Sequence, residues 1–175
     1  KGLEFLRQQE EDIFSFGNFS AELLQAAQKD LEFIQKLKLD LICWGDERYP
    51  SLLKETIDPP LVLLAKGNWP QWSERPWVAI VGARKATPFG LAKAREIARN
   101  LVGQGIGVVS GLAYGIDSAA HQACVEEGGV TWGVLGSSVD QLYPKRHLTL
   151  AEKMCERGGV MSEFPIGTTP LPSHF

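Results

Sequence analysis

Four loops of the sequence carry residue types that can hold a phosphate group. Three of them open with glycine or Ser-Gly, and all four follow apolar runs; they span residues 82–87, 110–115, 136–144 and 163–167. Glycine lets the main chain approach a ligand closely, and the free N–H groups at a helix start favour an anion. The first loop adds Arg84 and Lys85, and a guanidinium can hold two phosphate oxygens at once. The pattern therefore favours a ligand that carries phosphate.

The common nucleotide motifs narrow the choice of ligand. The first loop lacks the G-x-G-x-x-G spacing of dinucleotide sites, and Ser110 ends the second strand where such a site needs an acidic residue. No G-x-x-x-x-G-K-[ST] string is present, which disfavours ATP hydrolysis of the P-loop kind. Recognition of phosphate by main chain and arginine remains, with Tyr143, Phe164 and Tyr114 available to stack on bases, and this suits single-stranded nucleic acid. The competing interpretation is that the glycines only form tight turns between strand and helix.

Three further groups of residues allow weaker functional interpretations. Asp117 and His121 share a helix face, as a base with its orienter or two metal ligands would, but a first-turn carboxylate near a structural histidine is the commoner arrangement. Ser110, His121 and Asp140 can be drawn as a catalytic triad, yet no G-x-S-x-G segment supports it. The run at residues 145–147, Lys-Arg-His, either contacts phosphate or only solvates the start of a helix. No metal site is predicted.

The elements around these loops are predicted to alternate between strand and helix. Thr87 and Pro88 can cap and open the helix that follows the first loop. Such alternation favours right-handed crossovers, so we predict an α/β fold built on a Rossmann-like, doubly wound and mostly parallel sheet. The run at 77–81 is of the type buried on both faces of such a sheet. Apolar runs place the strands near residues 41–44, 61–64, 77–81, 106–109, 130–135 and 160–162.

A helical segment precedes the predicted sheet. Apolar residues at three-to-four spacing predict an amphipathic helix at 20–38, with Ser20 as its N-cap, and a shorter helix is predicted near 3–10. We therefore divide the chain into a small helical module at 1–39 and a core at 40–175. One aromatic group is predicted to pack between these two parts, with stacking on a ligand as the alternative: Trp69, Trp72 and Trp77.

Composition excludes several classes of protein. The 175 residues are 44% hydrophobic and 22% charged with a formal charge of −3, which is the profile of a packed domain without a global positive field. Residues 1–75 carry a net −4 and residues 76–175 a net +1. No apolar run is long enough to cross a bilayer, and no signal segment follows Lys1. The three cysteines lack C-x-x-C spacing, so we expect a cytoplasmic protein without disulfides and without membrane contact.

Four segments resemble the signature segments of the DNA-processing protein A family, known as DprA or Smf. They read VAIVGARKATPFG, VVSGLAYGIDSAAHQ, GVLGSSVDQLYPKRH and SEFPIGTTPLPSHF, and begin at Val78, Val108, Gly133 and Ser162. Upstream, Tyr49-Pro50, Asp58-Pro59-Pro60 and Gly67 also match the family's approach to its first core strand, so the likeness covers residues 40–175. The start of the chain is similar to the sterile-alpha-motif-like module that often precedes this core.

The resemblance implies an extended Rossmann fold that binds single-stranded DNA without sequence preference. It also implies a homodimer that loads RecA recombinase onto DNA taken up in natural transformation, with no cofactor and no enzymatic activity. Together with the loop pattern it predicts phosphate contacts from Gly82, Ala83, Arg84, Lys85, Thr87, Ser110, Gly111, Gly115, Gly136, Lys145 and Arg146. A second group is implied to hold the motifs in shape: Asp117, His121, Asp140, Pro144 and Glu163.

The chain departs from the family pattern at several positions. Ala83 replaces the usual serine, Tyr114 stands where arginine is common, and Ser138-Val139 replaces Gly-Leu. The family continues past the final Pro-x-x-Phe with an Arg-Asn-Arg segment, before which this chain stops. We therefore expect a core that is incomplete at its C-terminus, binds DNA more weakly than a full member and leaves a sheet edge open to non-native pairing.

The alternative from a different functional class is a nucleotide-processing enzyme. Phosphoribohydrolases of the lysine-decarboxylase-like group use a related Rossmann core and a comparable Ser-Gly-rich loop. They carry a Pro-Gly-Gly-x-Gly-Thr segment with a downstream glutamate, and this chain lacks that segment. Release of base from nucleoside monophosphates, abolished by Glu163→Gln, would favour the enzyme.

Overall fold

The computed structural model describes residues 21–70 and 72–174, and the predicted helix near 3–10 and the Ser20 cap lie outside them. The helices are α1 (Ala21–Leu37), α2 (Ser51–Lys54), α3 (Pro88–Gly103), α4 (Ile116–Glu126) and α5 (Leu148–Met154). The strands are β1 (Asp40–Cys43), β2 (Val62–Gly67), β3 (Trp77–Ala79), β4 (Gly107–Ser110), β5 (Thr131–Val134) and β6 (Gly159–Ser162). Short 3-10 turns lie at Trp72–Glu74, Val139–Gln141, Lys145–His147 and Pro172–His174.

The strands form one mixed sheet in the order β1-β2-β6-β5-β4-β3. β3, β4, β5 and β6 run parallel to one another, whereas β2 pairs antiparallel with both β6 and β1. The parallel strands lie in chain order, as expected when each connection crosses over through a helix. The predicted α/β fold with a mostly parallel sheet is therefore confirmed.

Helices α3, α4 and α5 pack on one face of the sheet. Ala98 of α3 and Ala120 of α4 are fully buried against Val108 of β4, and these small side chains let the two helices lie close together. Met154 of α5 packs in a neighbouring cluster with Val160 of β6. Thr87 caps α3 as predicted, because its Oγ1 accepts a hydrogen bond from Gly90 N at 3.1 Å.

The opposite face of the sheet carries a tryptophan cluster. The ring of Trp132 in β5 is fully buried, and its centroid lies 5.1 Å from that of Trp69 and 6.0 Å from that of Trp72. Trp77 of β3 approaches Trp72 at 4.5 Å. The prediction that these tryptophans pack between two modules is wrong, because they pack directly on the sheet, where Ile42 and Met161 complete the cluster.

The prediction that residues 77–81 are buried on both sheet faces is also wrong. β3 pairs with β4 and lies at the end of the described sheet, so Val78 is 37% exposed and Val81 72% exposed. Ile80 N donates to Val109 O, and the alternate main-chain groups, those of Ala79 and Val81, therefore point away from β4. β3 therefore forms an apolar edge of the described sheet, with main-chain groups available for pairing.

Helix α1 is joined to the core by one buried side chain. Ile34 is 5% exposed and packs in the cluster that contains Leu64 and Val160, whereas Leu23 is 60% exposed. Of the apolar positions predicted from the three-to-four spacing, those from Leu31 to Leu37 meet the core, with Ile34 as the buried contact, whereas Leu23 and Ala27 are exposed. Within residues 21–70 and 72–174, no helix is both long and apolar enough to span a bilayer.

Candidate nucleic-acid interface

The four predicted loops follow β3, β4, β5 and β6, which are parallel, so all four emerge at the same end of the sheet. We call this end the rim. The loops follow one another along the rim in chain order, because the strands do so in the sheet. The Arg84 loop stands at one end of the rim, beside the helix starts of α3 and α4.

The first two loops are interlocked by glycines. A side chain at Gly82 would place its Cβ 2.7 Å from Cγ1 of Ile116, the first residue of α4. Gly115 has a φ of +81°, and a Cβ there would collide with the carbonyl oxygens of Ala83 and Arg84. Ile116 N donates to Ala83 O at 3.3 Å. Close packing of the two loops therefore explains why glycine occupies both positions, without any contact to a ligand.

The interlocked loops border a cavity of about 570 Å³ that we call the Arg84 cavity. Its cationic residues are Arg84 and Lys85 from the first loop and the half-buried Arg95 from α3. Tyr114 and Gly115 line it from the second loop. The lining includes no carboxylate among the described residues, so the cavity is positively charged, in contrast to the chain as a whole.

Sequence reasoning missed part of this cavity. Arg95 lies two turns into α3, and Ser118 and Gln122 line the wall from α4. Helical spacing carries the signal, because Leu91 and Arg95 are four residues apart, as are Ser118 and Gln122, and each pair therefore shares a helix face. Loop motifs alone do not contain this information.

Two predicted phosphate contacts on the second loop are engaged inside the fold. Ser110 is 3% exposed and its hydroxyl donates to Ile80 O. Gly111 N donates to Asp117 Oδ2 at 3.1 Å, so its amide has an acceptor already. We correct the predicted set by removing the Ser110 hydroxyl and the Gly111 amide from it. Asp117 instead holds the second loop against the start of α4, the structural arrangement that the sequence favoured.

The third loop is covered by the end of the described chain. Gly136 is buried, and its carbonyl oxygen lies 3.0 Å from His174 Nδ1. Ser138 N donates to Thr168 O at 3.0 Å, which draws the segment after β6 over the same loop. The predicted phosphate contact at Gly136 is therefore corrected as well, because the main chain there does not reach the surface.

The three aromatic side chains differ in how open their rings are. Tyr114 is 37% exposed, lines the Arg84 cavity and meets His147 in a T-shaped arrangement with ring centroids 5.1 Å apart. Tyr143 is 43% exposed and precedes the buried Pro144 through a cis peptide bond. Phe164 stacks on His174 at 4.3 Å with an interplanar angle of 18°, so one of its faces is already covered. A base can reach only its other face.

The exposed cations Lys145 and Arg146 are held next to the second loop. His147 follows them in the same 3-10 turn, and its Nδ1 lies 2.8 Å from Leu112 O. A carbonyl oxygen can only accept, so Nδ1 of His147 carries the proton. The imidazole contacts Tyr114 as well, which brings the two cations toward the aromatic part of the rim. The sequence analysis gave the run at 145–147 as a phosphate contact or a solvated helix start, and the structure shows that His147 itself positions the two cations through its bond to Leu112 O.

Asp140 ties the third loop to the fourth. Its Oδ1 accepts hydrogen bonds from Ser138 Oγ at 2.7 Å and from Gly167 N at 3.0 Å, and its Oδ2 accepts one from Gln141 Nε2 at 3.0 Å. Burial raises the pKa of Asp140, but these hydrogen bonds outweigh burial and hold the pKa below its usual value. Glu163, at the start of the fourth loop, is exposed.

His121 is a buried structural residue. Its side chain is fully buried, and Nδ1 lies 2.7 Å from Thr131 Oγ1 on β5. Burial is the main cause that lowers the pKa of His121 to about 3; the charge of the nearby His147 acts in the same direction, and a hydrogen bond with the main chain of Ser110 acts against it. The ring is therefore neutral near pH 7. Ser110, His121 and Asp140 thus bond to three different partners and form no triad. Among the described residues no group of His, Cys, Asp and Glu is arranged to hold a metal ion.

Comparison with known proteins identifies the family. The model of the family described as DNA recombination-mediator protein A matches residues 40–175. Protein Smf of Synechocystis is 39% identical over 148 residues, which is 83% of this chain and 37% of that protein. DNA processing protein DprA of Bacillus subtilis is 36% identical over 131 residues, or 75% of this chain and 44% of that protein. The chain thus spans less than half the length of these curated relatives.

Two solved structures share the fold. DprA of Streptococcus pneumoniae superposes with a TM-score of 0.72 at 36% identity, covering 78% of this chain and 48% of that chain. DNA processing protein A of Helicobacter pylori, described for its unique single-stranded DNA binding mode, gives a TM-score of 0.69 at 25% identity, covering 79% of this chain and 61% of that chain. The matched segment, the sheet and the rim agree on one assignment: the chain belongs to the DNA recombination-mediator protein A family.

Proposed function

We propose that the rim of this chain binds single-stranded DNA without sequence preference, as part of a recombination mediator. The observation that carries the proposal is the Arg84 cavity, where Arg84, Lys85 and Arg95 line one concave surface without a carboxylate among the described residues. The chain has a formal charge of −3, yet three cationic side chains line this one cavity. Binding of an anionic ligand explains why positive charge is clustered there.

Exposed aromatic rings support a single strand over a duplex. Tyr114 lines the same cavity, and Tyr143 is exposed on the third loop. Stacking on an aromatic ring contributes about 1–3 kcal/mol per base and does not depend on base identity. Bases in a duplex are already stacked on one another, so only an unpaired strand can use these rings. Contacts to phosphate and to ring faces carry no sequence information.

The test compares labelled single-stranded and double-stranded oligonucleotides of the same length by fluorescence anisotropy. We expect tighter binding of the single strand, and we expect Arg84→Ala and Arg95→Ala each to weaken it by about 5- to 30-fold, since a charge-assisted contact contributes about 1–2 kcal/mol. The matched control is Arg157→Ala, which also removes one guanidinium but lies where Arg157 bonds to Gly128 O, near the opposite end of the sheet. Equal loss of affinity in Arg157→Ala and Arg84→Ala would contradict the proposal.

We extend the proposal to the partners implied by the family. For a protein as long as the curated relatives, we propose that it binds RecA recombinase and loads it onto DNA during transformation. We also propose that this longer protein is a homodimer. The proposed compartment is the cytoplasm, supported by three free cysteines, Cys43, Cys124 and Cys155. Sedimentation of the longer protein alone and mixed with RecA tests these assignments, and a monomer that sediments independently of RecA would oppose them.

We also propose that the rim performs no reaction. Supporting this, the side chains of Ser110, His121 and Asp140 bond to Ile80 O, Thr131 and Ser138 rather than to one another. Incubation with nucleoside monophosphates, followed by chromatography for free base, is the direct check. Base release that disappears in Glu163→Gln would identify a phosphoribohydrolase instead.

A further inference from the structure

A second large cavity lies on the opposite face of the sheet from the Arg84 cavity. It has a volume of about 1130 Å³ and is bordered by the turn after β1 and by the segment that leads from β2 into the tryptophan cluster. We call it the tryptophan cavity. Small-molecule sites commonly occupy about 300–1,000 Å³, so this cavity has room for more than one side chain of a ligand. Its lining includes the charged residues Asp40, Asp46, Glu47 and Arg48 and two tryptophans, Trp69 and Trp72.

The lining of the tryptophan cavity is acidic. Among the described residues, the lining carries three carboxylates, Asp40, Asp46 and Glu47, and one cation, Arg48. All three guanidinium nitrogens of Arg48 make hydrogen bonds: Nε and one terminal nitrogen bond to Asp46, the other terminal nitrogen bonds to Asp40 at 3.3 Å, and Leu41 O accepts a further bond at 3.2 Å. Arg48 thereby balances the negative charge of Asp46. The pKa of Asp46 is lowered, because its bonds to Arg48 outweigh the effect of burial.

Within the part of the chain that the structure describes, the exposed carboxylate of Glu47 and the second oxygen of Asp40 are open to a ligand. Asp40 spends only Oδ1 on Arg48, and its side chain is 40% exposed. Glu47 is exposed at the cavity border. Two negative groups at one concave surface attract a cation, and they repel the phosphate backbone of nucleic acid.

The aromatic wall adds a preference for a cation with an alkyl stem. Trp69 and Trp72 both line the cavity, with ring centroids 5.4 Å apart in an edge-to-face arrangement. Trp69 Nε1 donates to Arg48 O at 3.1 Å, which fixes the indole beside the acidic groups. Tryptophan is the best aromatic partner for an ammonium or guanidinium group, and its ring also packs against the methylenes of lysine or arginine.

We propose that the tryptophan cavity binds a basic peptide segment of a partner protein, with a lysine or arginine side chain between Glu47 and Asp40 and its stem against Trp69. This site is separate from the Arg84 cavity, which is lined from α3 and α4 on the other face of the sheet. The proposal therefore stands independently of DNA binding at the rim. A partner held here and a strand held at the rim occupy different faces of one molecule.

The test uses a fluorescein-labelled nonapeptide of alternating arginine and glycine, titrated with the whole chain and followed by anisotropy at low salt. We expect saturable binding, and we expect Glu47→Lys to weaken it by about tenfold or more, because the substitution replaces an attractive charge by a repulsive one. Glu96→Lys is the matched control: it makes the same charge change on the exposed surface of α3. That variant should bind within about twofold of the wild type, since exposed charges at a distance are screened.

Further arms separate the proposal from general electrostatics. Arg84→Ala should leave peptide binding unchanged, and the peptide should quench tryptophan fluorescence in the wild type. Absence of saturation, or equal weakening in Glu47→Lys and Glu96→Lys, would overturn the site. Displacement of the peptide by an equal concentration of spermidine would show that the cavity reads charge alone, and it would overturn the assignment to a peptide.

Discussion

At the scale of single residues, His121 couples protonation to folding. The pKa of its buried ring is about 3 in the folded chain, against an ordinary value of 6.5. Between pH 6.5 and pH 3 the unfolded chain binds a proton at His121 that the folded chain does not bind. The free energy of unfolding is therefore unaffected by His121 above about pH 6.5 and decreases as the pH falls below it. The expected loss is about 1.4 kcal/mol for each pH unit below that point.

Urea unfolding at pH 7 and pH 5 measures this loss, with the C-ε1 proton of His121 as the direct reporter in NMR. We expect the midpoint to fall on acidification while the His121 resonance stays unchanged between pH 8 and pH 5. A resonance that titrates near pH 6.5 in the folded protein would refute the assigned environment. A buried ring that bonds to Thr131 should not titrate as an exposed histidine does.

Gly115 supports a second prediction at this scale. Gly115→Ala combines a φ of +81° with a collision between the new Cβ and Ala83 O, so we expect a loss of about 2 kcal/mol or more in the free energy of unfolding. Gly105 is the matched control, because its φ is +75° and open space surrounds it. Gly105→Ala should cost about 1 kcal/mol, the strain of the backbone alone. Equal costs in urea unfolding would mean that the first two loops are not interlocked.

At the scale of elements, the sequence was sufficient for the existence and order of most strands and helices. Thr87 and Pro88 predicted the start of α3, and the structure has both the cap and the proline in the first turn. Burial of β3 was mispredicted for a physical reason: an apolar β-branched run reports what a strand can bury, whereas its position at a sheet edge depends on pairing partners. The tryptophan cluster was misplaced for a related reason, because Trp132 completes it from a distant strand.

The edge at β3 leads to a prediction about association. Val81 is 72% exposed beside main-chain groups that point away from β4, and such edges promote pairing between copies. Val81→Lys should reduce self-association at high protein concentration, because a charged side chain opposes edge-to-edge contact. Light scattering against concentration measures the effect, with Val62→Lys, a 38% exposed position on β2 between two strands, as the control. Unchanged scattering in Val81→Lys would exclude the edge as the contact.

At the scale of the whole molecule, charge is distributed by face. The Arg84 cavity on the helical face is cationic, and the tryptophan cavity on the opposite face is acidic. Two parts of this charge distribution could be predicted from the sequence: residues 1–75 and 76–175 differ in net charge, and Arg84 stands in a recognisable loop. Arg95 could be found only from helical spacing and not from the loop motifs. The burial of Ser110, whose hydroxyl bonds to Ile80 O, and of Gly136, which His174 covers, depends on tertiary contacts that the sequence does not show.

The most direct test of DNA binding at the rim is the salt dependence of single-strand affinity. Each phosphate neutralised on a single strand contributes about −0.7 to the slope of log affinity against log salt. Wild type should give a slope of about −2, as three cations line the Arg84 cavity, and Arg84→Ala should be shallower by about 0.7. Identical slopes for wild type and Arg84→Ala would contradict the account, because they would mean that this guanidinium neutralises no phosphate.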